Sequence, residues 1–247
     1  MKIKIGRMPY LNSDIFYLEK IKTFDYIDLT PKKMGEAFRD GLINSGPLSM
    51  IDYFQENQIE PVSNFCVSTK NLARSVLLFS NKDLRDIESV YITEETSTSV
   101  NLLKVLNKFF WKNKKINFTN DKKVSESFLY IGDKAISMKQ DKLAKFESTF
   151  DLGEEWNKYT SLPFVFARWG SRNLNPKDKD RLINVLEKQI NNFENNLIKI
   201  GQSRSTAIFS QAKIEEYLKG FNYKINYPEK LSINLFKELY NKLDDHY

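Results

Sequence analysis

The sequence contains almost no cysteine or histidine. Among its 247 residues, Cys66 is the only cysteine and His246 the only histidine. A Cys/His nucleophile pair, a Ser/His/Asp triad and a zinc site with several nitrogen and sulfur ligands each require more such residues than this chain has. The sequence therefore argues against these classes of catalysis, and it predicts that Cys66 is a small buried residue rather than a nucleophile.

Recognisable cofactor motifs are missing as well. The chain has no metal-ligand cluster, no G-x-G-x-x-G turn and no P-loop. We therefore expect a protein that works with neither a metal ion nor an organic cofactor.

Long hydrophobic runs are also absent. The longest ones, such as residues 76–79 and 162–167, are far shorter than the roughly 20 residues that cross a bilayer. The first seven residues predict a short strand and a glycine turn, and no apolar signal region follows them. We expect a soluble, cytoplasmic protein that has no membrane partner.

Positive charge is present in excess but is not concentrated. The formal net charge is +6, which suits either a nucleic acid or a small anion as a partner. Basic residues are spread along the chain, and the one dense run, residues 112–115, follows a predicted helix, where a solvated last turn is the usual explanation. We therefore expect a small-molecule partner and no nucleic acid, and the sequence carries no signal for an oligomeric state.

The order of predicted elements is typical of an α/β fold. Up to residue 81 the pattern predicts short strands at 2–5, near 42 and at 76–79, with helices at 13–21 and 34–40. Beyond residue 82 it predicts a second α/β set. This set has strands at 90–92, 116–118 and 127–131 and a long helix after Ser97.

The rest of the chain supports a two-lobed arrangement. Residues 162–167 are too apolar for a linker and predict a buried strand. A helix follows from the cap Asn175 to Gly201, and two more are predicted at 206–218 and 231–243. We expect one lobe from 1–81 with 167–247, an inserted lobe from 82–166, two crossing strands and a cleft. Ligands in such folds collect beyond the carboxyl ends of strands.

Four hydroxyl residues at 96–99 separate a predicted strand from a predicted helix. The first turn of a helix has unpaired N–H groups and partial positive charge, so it binds carboxylates and phosphates. Hydroxyls add hydrogen-bond donors without adding charge. The alternative is that one of the four residues is simply the N-cap of the helix.

Several polar islands, taken together and in this order, resemble those of the chorismate dehydratases of the futalosine route to menaquinone. The islands are residues 6–13, 45–49, 74–80, 96–99, 132–133, and 151–156 with Thr160 and 162–167. The resemblance spans about residues 1–170, and it departs at Thr93, where the family commonly has aspartate, and at Ser161, where it usually has glycine.

The resemblance implies a fold, a reaction and a mechanism. The fold is that of type II periplasmic binding proteins, with catalysis in the cleft between the lobes. The reaction is the removal of water from chorismate to give 3-[(1-carboxyvinyl)oxy]benzoate. The substrate's own enolpyruvyl carboxylate is the implied base, which fits a chain without a plausible histidine base.

Within these islands, Asn12 and Ser75 are the predicted catalytic residues. Asn12 would orient the reacting part of chorismate, since a carboxamide both donates and accepts and stays neutral near two anions; its alternative role is an Asx turn. Ser75 would hold a carboxylate or the departing hydroxyl, or it is simply the polar start of a strand. Tyr10 belongs to the same island as Asn12 and is a predicted substrate contact.

The remaining predicted substrate contacts are mostly small and polar. Ser97, Thr98 and Ser99 would hold one carboxylate. Gly46 and Ser49 would bring backbone or hydroxyl donors from the other lobe, although Gly46-Pro47 is equally an ordinary turn.

Two further residues complete the predicted site. Gly132 would permit close approach of the chain to the ligand. Asp133 is either a ligand contact or a structural partner of Arg74 or of a helix end. By contrast, Trp156 and Phe164 are predicted core residues.

Two other functions remain open at this point. The same scaffold serves non-catalytic proteins that bind small aromatic or cyclic carboxylates. It also suits an enzyme acting on another such carboxylate.

Overall fold

The computed structural model describes residues 2–93, 97–141, 146–207 and 209–243. The chain divides into two compact units. The first contains Met1–Ser68 and Val165–Asn226, and the second contains Thr69–Phe164 and Tyr227–Tyr247. Each unit therefore draws on two separate stretches of sequence.

The described strands are short and are distributed along the whole chain. In sequence order they are β1 (Ile3–Arg7), β2 (Phe24–Asp28), β3 (Ser45–Ser49), β4 (Glu60–Thr69), β5 (Val76–Ser80), β6 (Ser89–Ile92), β7 (Asn117–Thr119), β8 (Ser127–Ile131), β9 (Ser148–Asp151), β10 (Val165–Ser171) and β11 (Phe221–Lys224).

The described helices lie between and after these strands. They are α1 (Pro31–Arg39), α2 (Met50–Gln55), α3 (Thr98–Val105), α4 (Gly132–Gln140), α5 (Leu152–Thr160), α6 (Pro176–Asn191), α7 (Phe193–Arg204), α8 (Gln211–Lys219) and α9 (Tyr227–Asn241). Short 3-10 helices cover Leu11–Phe16 and Lys122–Val124, and α3 continues as a π-helical turn over Leu106–Trp111.

The first unit is built on a six-stranded sheet in the order β11-β4-β10-β3-β1-β2. Strand β1 runs parallel to β2 and β3, and β10 runs antiparallel to β3 and β4. Helix α1 begins with Pro31, a residue preorganised for the first helical position, and buries Met34 and Phe38 on one face. These two side chains join a core cluster with Met8 and Leu48.

The second unit is built on a five-stranded sheet in the order β7-β6-β8-β5-β9. Strand β6 is parallel to β7 and β8, while β5 is antiparallel to β8 and β9. It follows that β6, β8 and β9 all point the same way. Their carboxyl ends lie at one edge of the sheet, and the amino end of β5 lies there too.

Several expectations from the sequence are confirmed. The α/β class holds, β8 covers the residues predicted for it, and the strands at 76–79 and 90–92 are present. Cys66 is fully buried, and so are Trp156 and Phe164. The cap Asn175 accepts a hydrogen bond from the Asp178 N–H at the start of α6.

The predicted division into lobes is wrong at two places. The sequence predicts β5 in the lobe of residues 1–81, but it is paired on both sides within the sheet of the second unit. The sequence predicts α9 in the lobe that includes residues 167–247, but it belongs to the second unit and packs on α3. The predicted crossing strand at 76–79 therefore lies wholly inside one unit.

Other corrections concern individual elements. The strand predicted near Leu42 lies instead at β3, so Gly46 and Pro47 are strand residues rather than a turn. The helix predicted at 13–21 is only the 3-10 helix Leu11–Phe16. The long helix predicted up to Gly201 is two helices, α6 and α7, separated at Asn192. The prediction omitted β2, β4, β9 and β11.

Candidate active site

The first unit presents Tyr10 and Asn12 just after the carboxyl end of β1. The Ser13 N–H donates to the Tyr10 carbonyl (2.9 Å), which closes a tight turn at the start of the 3-10 helix. The carboxamide oxygen of the half-buried Asn12 accepts a hydrogen bond from the Ser13 hydroxyl (3.2 Å). The Tyr10 carbonyl and the Asn12 side chain thus both bond to Ser13, within the same short segment.

Aromatic packing anchors this segment to the sheet. Phe16 contacts Trp169 edge to face, with ring centroids 5.4 Å apart. The Tyr17 hydroxyl donates to the Gly6 carbonyl (3.2 Å), and complete burial raises the pKa of Tyr17 well above its usual range. Tyr17 is therefore a neutral structural donor that fixes the chain just beyond Asn12.

Ser49 lies at the carboxyl end of β3, where it caps helix α2. Its hydroxyl accepts from the Asp52 N–H (3.0 Å) and donates to the Asp52 carboxylate (2.7 Å). Arg39 also donates to that carboxylate (2.8 Å). Burial raises the pKa of Asp52, and the hydrogen bonds from Ser49 and Arg39 oppose the rise. The Ser49 hydroxyl is thus already hydrogen-bonded to Asp52, both as donor and as acceptor.

Gly46 lies in the middle of β3 and is required by close packing. A Cβ there would lie 2.9 Å from the Met34 sulfur and 3.2 Å from the Gly6 carbonyl oxygen. Its lack of a side chain therefore lets β1, β3 and α1 approach one another. Packing alone accounts for glycine at this position.

The second unit brings Ser75 and Gly132 together at one edge of its sheet. Val76 at the start of β5 pairs with Ile131 at the end of β8. The Gly132 N–H donates to the Ser75 carbonyl (2.8 Å). Gly132 has φ +60°, a left-handed conformation that favours glycine, so this residue is demanded by the turn from β8 into α4.

Three helices begin at this same edge. Helices α3, α4 and α5 follow β6, β8 and β9 respectively, and the amino end of each helix therefore lies beside a strand's carboxyl end. Helix α5 is capped by the Asp151 side chain, which accepts from the N–H groups of Gly153 and Glu154. By contrast, the cap positions of α3 and α4 make no side-chain hydrogen bond. The starts of α3 and α4 thus lack a capping side chain at the N-cap position, and the first turn of a helix favours negative charge.

The predicted hydroxyl cluster lies at the start of α3. Thr98 and Ser99 are in its first turn and are only 4% and 5% exposed, while Ser97 is the half-exposed residue before them. Ser97 is the N-cap by position, but its side chain does not cap the helix. Thr96 lies outside the described residues.

Asp133 is exposed in the first turn of α4. A negative charge there interacts favourably with the positive end of the helix. This placement agrees with one of the two structural roles open to Asp133, that of a partner to a helix end.

Asp151 is a buried carboxylate at this edge to which the sequence analysis assigns no role. Its carboxylate accepts four backbone N–H bonds: Ala73 (2.9 Å), Arg74 (2.6 Å), Gly153 (2.9 Å) and Glu154 (3.2 Å). Burial raises the pKa of Asp151, and these four donors oppose the rise. The available signal was Asp151 followed three positions later by Glu154, which is typical of a helix start.

Ser75 itself is 1% exposed, and its hydroxyl donates to the Ala73 carbonyl (3.2 Å). The turn held by Asp151 is therefore the turn that orients Ser75.

Among the described residues, no group of three or more His, Cys, Asp or Glu side chains is arranged to bind a metal ion. In the same part of the chain, no helix is long and apolar enough to span a bilayer.

Comparisons with solved structures identify the fold. A protein of Archaeoglobus fulgidus superposes with a TM-score of 0.74 at 11% identity, covering 97% of both chains. The periplasmic aliphatic sulphonate-binding protein of Escherichia coli superposes with a TM-score of 0.59 at 11% identity, covering 97% of this chain and 86% of its own. The predicted fold, that of the periplasmic binding proteins, is confirmed.

Sequence comparisons identify the family. A chorismate dehydratase of Thermus thermophilus is 24% identical over 254 residues, covering 95% of this chain and 93% of its own. The family model described as menaquinone biosynthesis matches residues 3–242, which is nearly the whole sequence. The chain therefore belongs to the menaquinone biosynthesis family.

Proposed function

We propose that this protein is a chorismate dehydratase, a lyase that removes water from chorismate to give 3-[(1-carboxyvinyl)oxy]benzoate. Family membership and similarity to the Thermus thermophilus enzyme support this proposal. The observation that carries it is the edge of the second unit's sheet, where two uncapped helix ends lie with Ser75. We further propose that it serves the futalosine route in the cytoplasm.

The chemistry of the substrate fits this edge. Chorismate carries two carboxylates, a ring hydroxyl and an enolpyruvyl ether. Its binding site must therefore supply hydrogen-bond donors to two carboxylates. The backbone N–H groups in the first turn of α3 and the Thr98 and Ser99 hydroxyls are neutral donors, and we propose that they bind one carboxylate. We assign Ser97 to the same carboxylate.

The reaction requires a proton and a hydroxyl group to leave neighbouring ring carbons. The proton leaves the carbon that bears the ether, the hydroxide leaves the next carbon, and the electron pair of the C–H bond completes the aromatic ring. We propose that the substrate's enolpyruvyl carboxylate takes the proton and passes it to the departing hydroxide, which leaves as water and restores the carboxylate. Asp151 is poorly suited to this role, since its carboxylate already accepts four N–H bonds.

The protein's own part in this scheme is orientation. We propose that Asn12 orients the reacting part of the ring and that Ser75 binds the departing hydroxyl or a carboxylate. Tyr10 is proposed as a further contact beside Asn12, and Gly132 as the residue that lets the chain turn close to the ligand. Gly46 and Ser49 have structural roles that are sufficient to explain them.

The test is direct turnover of chorismate by the purified protein. We expect an aromatic enol ether to accumulate in a one-to-one ratio to chorismate lost, both with and without a metal chelator. The measurement is product separation by chromatography with ultraviolet detection. Loss of turnover in chelator with recovery on adding one metal ion would contradict the cofactor-free scheme.

A non-catalytic binding protein is the alternative, since the structural neighbours include proteins named for sulphonate binding. Calorimetry with chorismate distinguishes the two functions. Binding with no product over many hours would support the alternative and contradict the dehydratase proposal.

A further inference from the structure

The carboxylate of Asp151 connects two parts of the second unit that are distant in sequence. One oxygen, Oδ1, accepts from the N–H groups of Ala73, Gly153 and Glu154, and the other, Oδ2, accepts from Arg74. The side chain therefore both caps α5 and holds the turn that precedes β5. A cap alone would need only the bonds to Gly153 and Glu154.

The turn held in this way has an unusual backbone conformation. Arg74 has φ +57°, in the left-handed region that non-glycine residues seldom occupy. Its N–H makes the shortest of the four bonds to Asp151, at 2.6 Å. The bond to Asp151 is therefore placed to stabilise the left-handed backbone conformation of Arg74, which is unfavourable for a non-glycine residue.

The backbone turn at residues 73–74 determines where the Ser75 hydroxyl points. That hydroxyl donates to the carbonyl of Ala73, whose N–H is bound by Asp151. The Ser75 carbonyl is held separately by the Gly132 N–H. A rotation of the backbone at Arg74 would thus change the direction of the hydroxyl while leaving β5 paired.

Close packing supports the same connection. A Cβ at Gly153 would lie 2.9 Å from the Ala73 nitrogen and 3.1 Å from the Asn71 carbonyl oxygen. The first turn of α5 therefore lies directly against the backbone of residues 71–73. Glycine is needed there because any side chain would push the first turn of α5 away from residues 71–73.

We propose that Asp151 is a positioning residue for the dehydration: it holds Arg74 in the left-handed conformation and thereby fixes the hydroxyl of Ser75. This inference rests on the role proposed above for Ser75. It assigns Asp151 no contact with the substrate.

Asp151→Asn is the sharpest substitution, because it preserves shape and removes one bond. With the amide oxygen in the place of Oδ1, the three bonds from Ala73, Gly153 and Glu154 remain. An NH2 group then faces the Arg74 N–H, and donor opposes donor. We expect kcat to fall at least about tenfold, with affinity for the product changed less than about threefold.

The matched control is Asp121→Asn. Asp121 is also the cap of a short helix in the second unit, and its side chain accepts from the Lys123 N–H (2.9 Å) at an exposed position. We expect its kcat to equal that of the unchanged protein. A kcat for Asp151→Asn within about twofold of the unchanged protein would overturn the proposal.

A second pair of variants tests the route through Arg74. Arg74→Gly and Arg74→Ala both remove the side chain, but only glycine adopts the left-handed conformation without cost. Combined with Asp151→Asn, glycine at position 74 should restore kcat at least about threefold more than alanine does. Equal recovery by both would show that the loss arises from the cap of α5 and not from the turn.

Hydrogen exchange separates this inference from the proposed function. Peptides covering residues 71–78 should exchange faster in Asp151→Asn and regain protection when Arg74→Gly is added. Wild-type kcat in Ser75→Ala would contradict the proposed role of Ser75, and unchanged exchange in Asp151→Asn would contradict the positioning role of Asp151.

Discussion

At the scale of single residues, the two predicted catalytic side chains differ in how firmly they are held. Ser75 is buried, and both its hydroxyl and its carbonyl have partners within the second unit. Asn12 is half-buried, and its oxygen accepts only from the neighbouring Ser13 hydroxyl among the described contacts. A side chain with so few internal bonds contributes little to stability, so any large effect of changing it must arise from the substrate.

We predict that Asn12→Ala and Ser75→Ala each lower kcat by about a hundredfold or more, the order seen when a positioned hydrogen-bond donor is lost. Steady-state kinetics with chorismate measures this, and thermal unfolding checks that each variant remains folded. Wild-type kcat in both would show that the two residues are structural and that other groups orient the reaction.

Thr98→Val should behave differently from these two. It removes a hydroxyl from the first turn of α3 while preserving the shape of the side chain. If Thr98 binds a carboxylate equally in the ground and transition states, KM should rise while kcat stays within about threefold. A large fall in kcat with unchanged KM would place Thr98 among the residues that act on the transition state.

At the scale of secondary structure, some helix starts have a capping side chain at the N-cap position and others do not. Asp151 and Ser49 cap α5 and α2, whereas α3 and α4 begin without a capping side chain. The sequence predicts substrate contacts at Ser49 as well as at Thr98, because both hydroxyl residues lie in the matching islands. Only the side-chain bonds distinguish a cap from an open site.

We therefore predict that Ser49→Ala acts mainly on stability. Losing the cap of α2 and a donor to the buried Asp52 should cost about 1–2 kcal/mol of unfolding free energy, with KM nearly unchanged. Ser210→Ala is the matched control, because Ser210 is the N-cap of α8 by position but makes no capping bond. Urea denaturation and steady-state kinetics measure both effects. A tenfold rise in KM for Ser49→Ala would support the substrate contact predicted from the sequence.

The same scale shows what the sequence could and could not predict. Local patterns predicted β8, most of α1 and the start of α6, because apolar spacing and the cap Asn175 are local signals. The role of Asp151 could not be predicted, since two of its four partners lie 77 and 78 positions away. Its cap sequence was visible, but its contact with the turn before Ser75 depends on the pairing of β5 with β9.

At the scale of the whole molecule, the chain leaves the first unit after residue 226, and helix α9 lies in the second unit. The sequence placed the last helix with its chain neighbours in the first unit, because no local pattern records which sheet a helix packs against. In the structure, α9 belongs to the second unit. The Trp156 indole N–H donates to the Ser232 hydroxyl (3.0 Å), and the Phe236 ring lies 5.9 Å from Trp156 and 5.0 Å from Phe164.

This connection predicts that the C-terminal helix stabilises the unit that contains Ser75 and α3. Phe236 is 1% exposed within an aromatic cluster, so Phe236→Ala should cost about 3–5 kcal/mol of unfolding free energy. Tyr227→Ala is the control on the same helix; Tyr227 is 73% exposed, and its loss should change stability by less than about 0.5 kcal/mol. Hydrogen exchange locates the effect: protection in Phe236→Ala should fall in β5 and α3, while β1 and β3 keep theirs. An equal loss of protection in β1 and β3 would show that α9 stabilises both units, contrary to the division of the chain.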